Sequence, residues 1–220
     1  ISTYNNMDSN SMLDKIVKKH NVELNNVEEQ AATLLLNYIE DTQKSSIEQI
    51  NNIEKYEIEK YMQLDTTTRK NLEILEANRE KTKKGSLLWV LDETVTAMGG
   101  RALRHWLESP LLDKNEIIKR QDAVGVLVDN NMYRDELQEV LKSVYDIERL
   151  ISKVVGGSVN ARELTSLKNS LQKLPTLKVL LKQIVDKTND VYFTEFYNTI
   201  DTLDDVYTLI DKAIVEDAGI

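Results

Sequence analysis

Seven glycines and two prolines are spread over 220 residues, and this scarcity is the tightest constraint on what the chain can fold into. A β-sandwich or barrel needs turn chemistry about every 8–12 residues, and a doubly wound α/β domain needs glycine-rich loops from strand to helix. Neither supply exists here, so the fold class is mainly α, a multi-helix domain. Hydrophobic residues make up 41% of the chain and charged residues 30%, enough both to build a core and to solvate long helical faces.

Local signals place the helices. The first 21 residues are mostly polar and unpatterned apart from Leu13, Ile16 and Val17, which suits a tail or a short helix. Asn25 and Glu28 form a capping-box pattern ahead of Ala31, Leu34, Leu35, Tyr38 and Ile39. Tyr56, Ile58, Met62 and Leu64 alternate, three threonines interrupt, and Leu72 and Ile74 alternate again. That period of two predicts a small β-hairpin or strand pair near residues 56–75, around Asp65. Beyond Lys84 the pattern is helical. Ser86 can cap a short helix through Leu91, and Thr96 one that carries Met98, Leu103, Trp106 and Leu107 and stops at Ser109-Pro110. Asp113 opens a helix whose expected core face is Ile117, Gln121, Val124 and Val128. Apolar stripes at Leu137–Val144 and Ile147–Val154 follow, with Gly156-Gly157 as C-cap. Asn160 and Glu163 then precede Leu164, Leu167, Leu171 and Leu174, a coiled-coil-like seam ended by Pro175. After Leu177–Val185 and a polar break at Asp186–Asp190, the last stripe is Ile200, Leu203, Tyr207, Ile210 and Ile214.

Several function classes are excluded by what is missing. With no cysteine there are no disulfides or thiolate sites, and His20 and His105 lack a second nitrogen ligand at helical spacing, so no metal site is expected. Neither a phosphate-cradling G-x-x-x-x-G-K-[ST] nor a G-x-G-x-x-G occurs, and no catalytic constellation survives inspection. No apolar run reaches the roughly 18 residues of a membrane helix and no signal pattern opens the chain, so it reads as cytoplasmic. A net charge of -9 argues against a stand-alone nucleic-acid binder. Weak DNA contact is confined to Lys81, Lys83 and Lys84 in one loop and Arg104 on a helix, beside Arg101 and His105. Trp89 and Trp106 lie on apolar stripes and are expected in the core. Asp65, Thr68, Arg69 and Asn71, and separately Thr94, Thr96 and Arg101, are polar residues in apolar surroundings, expected to form structural networks with Arg69 buried and paired. The chain starts with Ile and stops just after a helical pattern, which suggests a piece of a longer protein.

The stretch Met62-Gln-Leu-Asp-Thr-Thr-Thr-Arg-Lys-Asn-Leu-Glu-Ile74 and the long ungapped run from Leu87 through Asp92-Glu-Thr-Val-Thr-Ala-Met-Gly-Gly-Arg101 to Pro110-Leu111 resemble the central core of the MutS family of DNA mismatch-repair proteins. Arg120-Gln-Asp-Ala-Val124, Asp146-Ile-Glu-Arg-Leu150 and Ala161-Arg-Glu-Leu164 continue the pattern in order. Tyr38-Ile-Glu-Asp-Thr-Gln-Lys44 resembles the segment leading out of that family's connector. The resemblance implies a connector remnant or tail at residues 1–25, a connector-to-core helix and linker at 26–55, and the first part of the core or lever domain at 56–220. It implies structural and coupling roles for Leu64, Asp65, Thr68, Arg69, Asn71, Leu72, Glu73, Asp92, Thr94, Thr96, Met98, Gly99, Arg101, Trp106, Pro110 and Arg120.

By the same resemblance the parent is a clamp-shaped dimer that binds mismatched double-stranded DNA, hydrolyses ATP with Mg, signals to MutL and associates with the bacterial nucleoid. This chain itself is expected to hold no cofactor, catalyse nothing and link the DNA clamp to the ATP site. Ala97 stands where many members have proline. Phe193-Thr194-Glu195 matches the family's mismatch-reading motif literally but lies far downstream of its place, so it is rejected as chance. The alternative is a stand-alone helical adaptor whose leucine seam docks a partner helix. As a severed lever, the helix near 200–214 is expected to leave its apolar stripe uncovered.

Overall fold

Caps set the helix ends, and the apolar residues between them set which faces meet. The computed structural model describes residues 10–20, 22–43, 50, 52–53 and 60–214, and the chain divides into two units, Ile1–Ile58 and Glu59–Ile220. The first unit contains α1 (Ser11–His20) and α2 (Asn26–Gln43). The Asn10 side-chain oxygen accepts from the backbone N–H of Met12 and of Leu13, closing the start of α1, while its amide donates to Asn37 Oδ1 at 2.7 Å. Both asparagines are buried, and each satisfies the other's polar group inside an apolar shell of Leu13, Leu36, Ala32 and Ile39. Asn25 and Glu28 form the expected capping box at α2, but Leu35 and Tyr38 are exposed and the buried face runs one residue over, through Leu36.

The second unit holds α3 (Thr66–Asn71), α4 (Leu87–Leu91), α5 (Ala97–Glu108), α6 (Lys114–Asp129), α7 (Asn131–Lys142), α8 (Ile147–Val155), α9 (Ala161–Leu171), α10 (Leu174–Thr188), α11 (Val191–Thr199) and α12 (Asp204–Ala213). One core joins Ala123 of α6, Tyr133 and Leu137 of α7, Leu180, Leu181 and Ile184 of α10 and Phe193 of α11. A second joins Leu167 and Leu171 of α9 to Ile210 of α12, with Ile147 and Leu150 of α8 against it. Ser86, Thr96, Asp113, Asp146, Asn160 and Asp190 accept bonds from the first turns of the helices they precede, and Gly157 ends α8 with φ +64°.

Three expectations are corrected here. The β-hairpin is absent among the described residues: Asp65 Oδ1 accepts from Thr68 N at 2.6 Å and caps α3, so the threonines, expected only to interrupt a strand pair, wind into a helix. Tyr61 forms an isolated antiparallel bridge to Leu111 rather than a strand, through Met62 N to Pro110 O at 2.8 Å and Leu112 N to Lys60 O at 3.1 Å. Tyr56 and Ile58 lie outside the described residues. On α6, Val124 and Val128 are 61% and 64% exposed, because α7, α10 and α11 gather on the opposite side, over Ala123, Val126 and Leu127. Finally, Leu203 adopts φ +52° and splits the last stripe, so α11 and α12 are separate helices. Ile210, 8% exposed, packs on the leucine seam of α9, and neither element is left uncovered as the lever and adaptor pictures required.

Candidate functional site

The family-like residues lie mainly in one stretch, residues 60–120, and its geometry begins with α3. Asp65 caps the helix, and the bond from the Thr68 amide holds its carboxyl below the usual carboxylate range. Arg69 donates through Nε to Leu64 O at 3.0 Å and is half-buried, without the carboxylate partner expected of it among the described residues. Leu72 and Asn71 are exposed, and Glu73 turns the chain at φ +49° while its side chain accepts from Asn78 N at 2.7 Å.

That turn meets α4. The first helical amides, Leu87 N and Leu88 N, donate to Glu73 O and Ile74 O at 2.9 Å each, so donors that a helix start leaves orphaned are satisfied by a distant carbonyl pair. Ser86, 1% exposed, accepts from Trp89 N and donates its hydroxyl to Lys83 O. Lys83 in turn binds Asp92, whose carboxyl also accepts from Thr94 Oγ1 at 2.6 Å; these contacts hold it at about pKa 2. Thr94 and Thr96 then seat the start of α5. A Cβ on Gly99 would stand 3.0 Å from Thr96 Oγ1, and one on Gly100 3.3 Å from Thr94 Oγ1, so the two glycines let the helix rest directly on the threonines.

Arg101 leaves α5 towards α8. Its Nη1 and Nη2 donate to the two oxygens of Asp146 at 2.7 Å each, and Nε donates to Glu148 at 3.0 Å. Asp146 is also the cap of α8, so a bidentate pair ties one helix to the first turn of another 45 residues on. The Arg101 hydrogen bond lowers the Asp146 carboxyl to about 2, and the guanidinium is raised correspondingly. The expected burial of Arg101 is corrected: its side chain is 48% exposed. The same holds for Trp89 and Trp106, 50% and 41% exposed; Trp106 supports the Arg120 guanidinium 3.8 Å above its ring centre. Met98 is half-buried, and Pro110 contributes its carbonyl to the bridge with Tyr61.

Charge contacts continue beyond Arg101. Lys153 binds Glu163 from α8 to α9, and Lys168, buried on α9, reaches Asp211 of α12 at 3.0 Å. Sequence reading missed these because the partners lie 10 and 43 residues apart on different helices; only the charge of each residue was visible. Of the DNA candidates, Lys83 is held by Asp92 and Arg104 lies 3.4 Å from Glu108, while Lys81 and Lys84 are exposed with no ion pair among the described residues. Phe193 is buried at 6% in the first core, where it cannot stack on a base. No three His, Cys, Asp or Glu side chains among the described residues are grouped to hold a metal ion, and no described helix is long and apolar enough to cross a membrane.

Among the described residues the second unit is a helical domain in which family-like residues cap helices, let them pack closely and pair charges between them. Residues 67–219 match the model of MutS domain III, and the chain belongs to that family. It is 50% identical over 187 residues to the DNA mismatch repair protein MutS of Acetivibrio thermocellus, covering 85% of this chain and 21% of that protein. Against the protein of the same description from Caldanaerobacter subterraneus subsp. tengcongensis identity is 51% over 183 residues, or 83% of this chain and 21% of that one. Against that of Clostridium botulinum it is 46% over 217 residues, or 99% and 22%. The chain thus spans about a fifth of the length of the curated relatives it matches.

Proposed function

We propose that this chain is the structural and allosteric core of a mismatch-repair ATPase, the part through which a DNA clamp and an ATP site influence one another. In this reading the chain is itself non-catalytic. The longer protein binds mismatched double-stranded DNA, pairs with a second copy of itself, signals to MutL and uses ATP and Mg at residues outside this chain, in the cytoplasm in association with the nucleoid. The family match supports the context. The observation that carries the mechanical reading is the Arg101 pair, which with Lys153–Glu163 and Lys168–Asp211 makes a chain of cross-helix locks from α5 through α8 and α9 to α12. Such locks transmit displacement because they have discrete paired and unpaired states. The adaptor alternative is not favoured, since α12 and α8 already occupy the leucine seam.

The test is Arg101→Ala in the longer protein, with Asp146→Asn as a second break of the same lock. Separate affinities for mismatched DNA and for ATP should stay within about twofold, whereas the change in DNA affinity caused by ATP should shrink several-fold, within the roughly 5–150-fold range of ordinary coupling. Unaltered coupling in both variants would remove the basis of the proposal.

A further inference from the structure

Arg69 and Lys70, adjacent on α3, belong with Lys81 and Lys84 to the cations that approach no carboxylate among the described residues. Lys83, Arg101, Arg104, Lys119, Lys153 and Lys168 each approach a carboxylate within 4 Å, and Arg120 lies on Trp106. Arg69 and Lys70 have no such partner among the described residues. Of the neighbouring acids, Asp65 accepts from the Thr68 amide and Glu73 from the Asn78 amide, while Glu76 lines the groove itself without an ion pair to either cation among the described residues. The two cations, with Thr66, Leu75 and Glu76, line a groove of about 260 Å³. Arg69 is pinned there, since its backbone N–H donates to Asp65 O, its carbonyl accepts from Ile74 N and its Nε is fixed on Leu64 O. Its two Nη groups make no hydrogen bond among the described residues and remain as donors, and Lys70 and Thr66 border the same groove. The setting has the same sign. Residues 60–86 contain seven Lys and Arg against four Asp and Glu, a net +3 in a chain of net -9.

We propose that this groove is an oxyanion site for a phosphate group, with Arg69 and Lys70 as its cationic ligands and Thr66 as a further donor. A half-buried guanidinium without a counter-charge is unfavourable, and an incoming anion relieves it. Donors from three side chains suit an anion with several oxygens, so phosphate fits them better than a single carboxylate. The phosphate can come from a free phosphate or nucleotide or from a nucleic-acid backbone. The site is independent of the coupling role proposed above, because it uses neither Arg101 nor its partners.

The experiment is NMR on the full 220-residue chain, titrated with inorganic phosphate while sodium chloride holds ionic strength constant. Saturable shifts should appear at the Arg69 Nε–H and at amides of residues 66–76. Lys70→Gln should weaken the midpoint at least about tenfold, corresponding to loss of one charge-assisted contact. Lys70 has no side-chain partner to lose, so this variant keeps the fold, and Arg69→Gln then checks the second ligand. A short DNA duplex and ATP form two further arms: displacement of phosphate from the same resonances by duplex identifies a backbone source, and displacement by ATP alone a nucleotide source. Shifts that never saturate, that spread over lysines throughout the chain or that persist unchanged in Lys70→Gln would overturn the site.

Discussion

Arg101 spreads its guanidinium over two carboxylates at the start of α8, Asp146 and Glu148, and the consequence is a pH dependence with a defined sign. The Asp146 carboxyl lies at about 2 in the folded chain against 3.8 ordinarily, and Asp92 behaves alike through Lys83 and Thr94. A depressed folded pKa means that the unfolded state binds protons first, so the stabilisation is complete above about pH 4 and is lost as pH falls towards 2. Urea midpoints should drop across that window and recover on return, with a shallower drop in Arg101→Ala. Equal slopes for parent and variant would show the pair to be silent in solution. Arg69 makes the contrast. Its one observed side-chain bond is to a carbonyl, so Arg69→Ala should cost about 1 kcal/mol in urea melts, the worth of a net hydrogen bond, rather than the 3–5 kcal/mol of a broken buried ion pair.

At the scale of elements, caps and faces behave differently. The Asn160–Glu163 capping box satisfies amides within four residues, so Asn160→Ala should destabilise by about 1 kcal/mol whatever surrounds the helix. The faces depend on neighbours. Ile210 is buried against Leu167 and Leu171, and Ile210→Ala should cost about 2–5 kcal/mol, while Val124→Ala on the open side of α6 should stay within about 0.5 kcal/mol. Hydrogen exchange supplies an independent reading. Amides of α12 should be protected to a similar degree as those of α9 and independently of concentration, because the two helices share one core. Early, concentration-dependent opening of α12 would restore the picture of a severed lever. The cap residues were legible in the sequence; the split at Leu203 was not, since a leucine at positive φ carries no local signature.

For the molecule as a whole, membership of the MutS domain III family supplies a context, and the proposed role within it is to couple sites rather than to react. The purified chain should release phosphate from ATP no faster than buffer. With a net charge of -9, it should bind duplex DNA weakly, with an affinity that falls steeply with salt and does not distinguish a mismatch. Preference for a mismatched duplex would place a reading residue in this chain, against the burial of Phe193.

The sequence by itself determined the helical class, most helix starts and the family, because each rests on interactions among residues a few positions apart or on an ungapped pattern. Ser86, Thr96, Asp113 and Asn160 cap where their spacing places them, and Leu164, Leu167 and Leu171 lie on one face of α9, although the helix ends at Leu171 and Pro175 opens α10 rather than ending the seam. Tertiary structure decided which apolar faces are covered and where the charges pair. Val124 and Ala123 are neighbours on α6, yet the first is exposed and the second buried, because α7, α10 and α11 arrive on one side only. Likewise Arg101 finds Asp146 across 45 residues of intervening chain, a distance over which no local pattern specifies a partner; the packing of α5 and α8 brings the two together.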